Sequence, residues 1–196
     1  MSSAREYFRE SLGTALRKTQ TRLTDTAQAY LVNLLVEFMR AENVYAGTDP
    51  GERPVLADLF SRALEAEPGE AVRIYKHMGD SSLYLTGFFT EAVENVGVDY
   101  YVSMGGSAYA NVAGLIRPTA ASSSALFAEL SDRFRELVEL LIAMSLAPLT
   151  AAKLDDTRLL GLVERYERTG DRQVLDALRS QGVVLRPGVD DDGQVN

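Results

Sequence analysis

The chain contains no cysteine and a single histidine, His77. The first absence removes disulfides, thiolate nucleophiles, iron–sulfur clusters and cysteine zinc sites together. It fits a reducing compartment, and a cytoplasmic location is expected. The lone histidine removes more. A carboxylate di-iron bundle needs two Glu-x-x-His pairs. One histidine cannot supply them, and Ile74, not a glutamate, stands three residues before His77. No metal site is expected.

Positive charge is the minority sign. There are 20 Lys and Arg against 28 Asp and Glu, a net charge of −8. A diffuse negative field does not suit a nucleic-acid surface, which carries a basic patch. Arg5, Arg9, Arg17, Lys18 and Arg22 are a local exception, but Glu6 and Glu10 interrupt them, as on a solvated helix face. Long apolar runs are missing too. The longest, Leu140 to Leu149, contains Ser145 and Pro148 and falls short of the roughly 20 residues that span a bilayer. The opening MSSAREYF lacks the basic-then-apolar pattern of a secretion signal. No nucleic-acid or membrane partner is expected.

Strand alternation is lacking as well, whereas helical periodicity is plain. A helix is predicted from Ala4 to Lys18. Thr24 or Asp25 caps a second, whose stripe is Ala27, Tyr30, Leu31, Leu34, Leu35, Phe38 and Met39. Pro54 opens a third, and EPGE at 67–70 breaks it. A short helix from Glu70 to Met78 is predicted to stop at Gly79, with Asp80 or Ser81 capping another over Ser82 to Val96. Asp99 caps a glycine-bearing helix that Pro118 closes. TAASSSA reads as a connector ending in a serine cap, before one long helix from Ala125 to Ala147. After Pro148, two helices ending at Gly170 and Gly182 form a hairpin.

The expected fold class is therefore all-α, a single bundle of about eight helices with a C-terminal helical hairpin. The bundle occupies 1–148, the hairpin 149–188 packed on it, and a disordered acidic tail 189–196.

The segment KHMGDSSLYLTGFF, Lys76 to Phe89, invites a catalytic reading, since His77, Asp80, Ser81 and Ser82 are the residue types of a nucleophilic triad. No Gly-x-Ser-x-Gly elbow accompanies them. Capping of a helix start is the simpler role for Asp80 and the serines. GDSS lacks the lysine of a phosphate loop, and MGGSAY follows no strand, so neither is a nucleotide motif.

The helix YYVSMGGSAYANVAGLI carries a stripe of small residues, Ser103, Gly106, Ser107, Ala110, Ala113 and Gly114. A glycine inside a helix costs about 1 kcal/mol relative to alanine. Close approach of another helix would offset that, and the helix bearing Gly87, Phe88 and Phe89 is the expected partner. A bound ligand would offset it too. In that alternative the chain is a small-molecule sensor or enzyme, and His77, Tyr84, Phe88, Tyr101, Gly105, Gly106 and Tyr109 line its apolar pocket. No cofactor is predicted; haem, with His77 as axial ligand and the glycines admitting the macrocycle, is the variant of this alternative.

The stretches YLVNLLVEF, GDSSLYLTGFF and VDYYVSMGGSAY resemble an uncharacterised family of small bacterial all-helical proteins. The resemblance covers Tyr30 to Ala110 and implies a family core there, with no residue role attached. The residues as a whole point to a non-catalytic helical protein acting through protein contacts, regulatory or structural, with a homodimer as one form.

Overall fold

The structure is a computed structural model, and it describes residues 4–39, 56–89, 97–151 and 156–183. Among these, every regular element is a helix and none is a strand. Two compact units are present, Met1–Ala147 and Pro148–Asn196. The predicted third helix start at Pro54 and the acidic tail at 189–196 lie outside the described residues.

In the first unit, α1 spans Ala4–Thr19 and α2 spans Asp25–Phe38. Glu6 in the first turn of α1 and Arg17 and Lys18 in its last turn complement the helix dipole. The left-handed Gln20, φ 57°, follows its end. Thr24 is the cap of α2, one of the two predicted residues. Its Oγ1 accepts from Ala27 N at 3.2 Å and donates to the Glu129 carboxylate. α3 is Leu56–Glu65, burying Leu56, Leu59 and Ala63.

The next element differs from prediction. α4 runs unbroken over Pro68–Phe88, with Pro68 in its first turn. Gly79 does not stop it, and Asp80 and Ser81 do not cap a new helix. Met78 to Leu83 are buried on every side of the helix. Packing there outweighs the glycine penalty, because neighbouring elements enclose α4 all round. Ser81 and Thr86 satisfy their hydroxyls on the carbonyls of His77 and Ser82, both at 2.7 Å, inside the helix.

α5, Val98–Ile116, enters from Gly97, whose φ of 96° suits glycine. Asp99 lies in its first turn and pairs at 2.6 Å with Arg135 rather than capping. The predicted long helix is divided into α6, Ala121–Asp132, and α7, Phe134–Ala151. The division at Arg133 is a bend. Arg133 N still bonds Glu129 O, and Leu137 N bonds Arg133 O, at 3.1 and 2.9 Å. The serines expected in the connector lie inside α6, and Ser124 Oγ reaches across to Ala113 O at 2.9 Å. Pro148, expected beyond the helix end, lies within α7.

Helix α4 packs most extensively on α5, and α5 in turn on α6; α3 packs on α4, and α1 on α2. In the second unit, α8 (Asp156–Thr169) and α9 (Arg172–Ser180) pack on each other. Gly170 and Gly182 follow their ends at φ 62° and 80°, as predicted, and Asp171 caps α9 through Gln173 N at 2.8 Å. Among the described residues no helix is long and apolar enough to cross a membrane.

Candidate functional site

The chemically loaded place in the first unit is Asp80. It stands in the middle of α4 at 3% exposure. A carboxylate removed from water needs strong compensation. Three donors from two other helices and its own supply it. Lys76, one turn back on α4, donates from Nζ to Oδ2 at 2.6 Å. Tyr109 of α5 donates to Oδ1 at 2.7 Å. Tyr30 of α2 donates to the same oxygen. The spacing of Lys76 and Asp80 puts both on one helix face, and Gly79 lets the Tyr109 ring approach. A Cβ at Gly79 would run into that ring.

Aromatic rings wall the cluster. Tyr30 and Tyr109 meet edge-on with centroids 6.3 Å apart. Phe127 of α6 touches both, at 5.5 and 5.7 Å, and Phe134 of α7 lies 5.7 Å from Tyr109. The Lys76 ammonium sits 5.3 Å from the Tyr30 ring centre, a cation–π distance. Its stem reaches inward while the side chain stays 41% exposed.

Burial, and then the Asp80 charge, hold both phenols far above their ordinary range. Tyr30 and Tyr109 are therefore donors, not phenolates. His77 is pushed the other way. Burial lowers its pKa, Lys76 adds to that, and Asp80 and Glu37 oppose it. Its Nε2 is buried without a hydrogen-bond partner, and so is Ser82 Oγ.

The residues predicted to line a pocket occupy several places. Tyr109 belongs to the Asp80 cluster. Gly105 faces α4 and α7: a Cβ there would strike the Phe134 ring and lie 2.9 Å from Ser82 Cβ. Gly106 is ordinarily packed, and its carbonyl accepts from Ser131 Oγ at 2.8 Å. Tyr84 and Phe88 stack at 5.4 Å in a separate aromatic group with Phe38 and Phe89. Tyr101 is buried against Tyr100, 5.7 Å away. The small stripe read from the sequence faces outward at Ser103, Ser107, Ala110 and Gly114. The face α5 buries is Tyr101, Gly105, Ala108, Tyr109, Val112 and Ala113. Gly87 of α4, by contrast, is closely met, by Leu141 of α7.

Sequence reasoning missed Tyr30, Lys76 and Asp80 as a set. One signal was available. Ala71, Tyr75, Met78, Ser82, Leu85 and Phe89 keep spacings of three and four straight across Gly79. A continuous helix then makes Lys76 and Asp80 an i,i+4 pair.

The arrangement leaves Asp80 little chemistry of its own. Both oxygens accept from donors of the same chain. Among the clefts bordered by described residues, one lies between α1 and α2 and another around Ala113, Arg117 and Ser124; neither is lined by Asp80, Tyr30 or Tyr109. Among the described residues no group of three or more His, Asp or Glu could hold a metal ion. No protein family, curated protein or solved structure matches the chain, so no residue role comes to it from a relative.

Proposed function

We propose that this chain is a cytoplasmic helical protein, regulatory or structural, that acts through contacts with protein rather than by catalysis, another copy of itself included. The observation that carries this reading is the closure of Asp80. A catalytic carboxylate needs a free lone pair within reach of a reacting group. Here Lys76, Tyr30 and Tyr109 occupy both oxygens, and the group is buried. Such a set specifies which helices meet. Exposed apolar surface supports the contact half of the reading. Phe38, Tyr84, Phe88 and Phe89 form one aromatic group, in which Phe89 is 50% exposed, and Met39 beside Phe38 is 59% exposed. Aromatic and methionine side chains open to solvent suit a protein contact.

Native mass spectrometry of the purified full chain and of Phe89→Glu tests this. The expected result is a protein complex, of identical or different chains, that Phe89→Glu weakens with the helical circular dichroism unchanged. A retained small molecule or metal, with no complex sensitive to Phe89→Glu, overturns it. The second reading, a ligand pocket near His77, Tyr84, Tyr101 and Gly106, draws on the unpartnered buried Nε2 of His77. It expects a ligand in the same spectra, with the absorbance of haem in the haem variant, and its loss in His77→Ala.

A further inference from the structure

α1 and α2 enclose a cleft of ≈ 230 Å³. Its floor is apolar, with Leu12 from α1 and Val32 from α2. The two sides differ in chemistry. α1 contributes Arg5 and Arg9, one turn apart and so on one face. Guanidinium groups are pure donors. α2 contributes Asp25 and Gln28. The Gln28 amide nitrogen donates to Leu23 O at 3.0 Å, and its oxygen is an acceptor for another group. Asp25 accepts only. The α1 wall therefore brings donors alone, while α2 brings the negative charge of Asp25 with the amides of Gln28 and Asn33, over an apolar floor. No ion pair between described residues joins Arg5 or Arg9 to Asp25. The opposite charges border the same cleft without neutralising each other.

We propose that this cleft binds a small zwitterion, an α-amino acid with an apolar side chain. Its carboxylate meets Arg5 and Arg9, its ammonium meets Asp25 and the Gln28 oxygen, and its side chain covers Leu12 and Val32. The cleft, at ≈ 230 Å³, has room for several waters and so for a small amino acid. A dianion would face Asp25, and a simple amine would face two guanidinium groups. Only a ligand carrying both charges satisfies both walls. This goes beyond the contact function proposed above and does not depend on it.

Isothermal titration of the full chain with L-leucine, isocaproate and isopentylamine tests the assignment. Leucine should bind, with isocaproate and isopentylamine each weaker by about tenfold or more, because each lacks one charge-assisted contact. Amide resonances of residues 5–12 and 25–33 should shift with leucine. Arg5→Gln with Arg9→Gln, and separately Asp25→Asn, should each weaken leucine by about tenfold. The arginines and Asp25 are exposed, so helicity should persist, and circular dichroism checks it. Should Asp25→Asn disturb the start of α2, the arginine pair carries the test. Isocaproate binding as tightly as leucine overturns the zwitterion. No leucine binding at millimolar concentration, or shifts confined to other helices, overturns the site.

Discussion

At the scale of single residues, Asp80 decides whether the centre of the first unit is satisfied. Its removal leaves two phenolic hydroxyls, one of them fully buried, without their acceptor. Lys76 suffers less, because its side chain is 41% exposed and can turn to water. Asp80→Ala should therefore cost about 3 kcal/mol, the scale for breaking a buried pair. Asp80→Asn keeps an oxygen for the tyrosines and sets an amide NH₂ near the ammonium. Its cost should be smaller, about 1–2 kcal/mol. Urea unfolding followed by circular dichroism gives both numbers. Equal costs, or a neutral Asp80→Ala, would remove the energetic importance assigned to the cluster. The residue also marks the limit of reading a sequence locally. Aspartate after glycine and before two serines has strong local uses, and those uses are turn and cap. Its two tyrosine partners lie 50 and 29 residues away in the chain.

At the scale of elements, periodic apolar stripes made most helices legible. α1, α2, α8 and α9 stand where the spacing put them, and Thr24, Gly170 and Gly182 do the capping and stopping expected of them. α4 was misread because one residue type has two meanings. A glycine ends a helix when its backbone turns left-handed, and it continues one when a neighbour needs its space. Gly79 and Gly105 are of the second kind, and at Gly79 only the apolar period running straight across it says so. The bend at Arg133 was hidden for a related reason, since the apolar period continues through it while the backbone bonds persist. The same distinction gives a prediction by glycine position. Gly79→Ala and Gly105→Ala place a methyl against the rings of Tyr109 and Phe134. Each should destabilise by about 1–3 kcal/mol through overpacking. Gly114 and Gly161 are helical with open space at the Cβ position. Alanine there should stabilise by up to about 1 kcal/mol. Thermal midpoints of the four variants check the ordering, and a stabilising Gly79→Ala would contradict the close approach of α5 to α4.

For the molecule as a whole, the buried titratable groups bound stability on two sides. His77 has a folded pKa below its ordinary 6.5, chiefly through burial. The unfolded chain then binds a proton more readily than the folded one. Stability is full above the ordinary value, and falls as pH drops through it toward the folded value, after which the loss levels off. Tyr30 and Tyr109 lie far above their ordinary 10.0. Their contribution is full below that value and is lost as pH rises beyond it, because the unfolded phenols ionise while the folded ones, beside the Asp80 charge, do not. A plateau should therefore run between about pH 7 and pH 10, with a limb on either side. The acid limb has to be followed above the pI of ≈ 4.8, where the net charge of −8 has vanished and association sets in. Urea midpoints across this range give the profile. His77→Gln should flatten the acid limb and leave the alkaline one, while Tyr30→Phe and Tyr109→Phe should do the reverse. An acid slope unchanged in His77→Gln would assign that limb to the carboxylates instead, and an alkaline slope unchanged in both tyrosine variants would detach it from the Asp80 cluster.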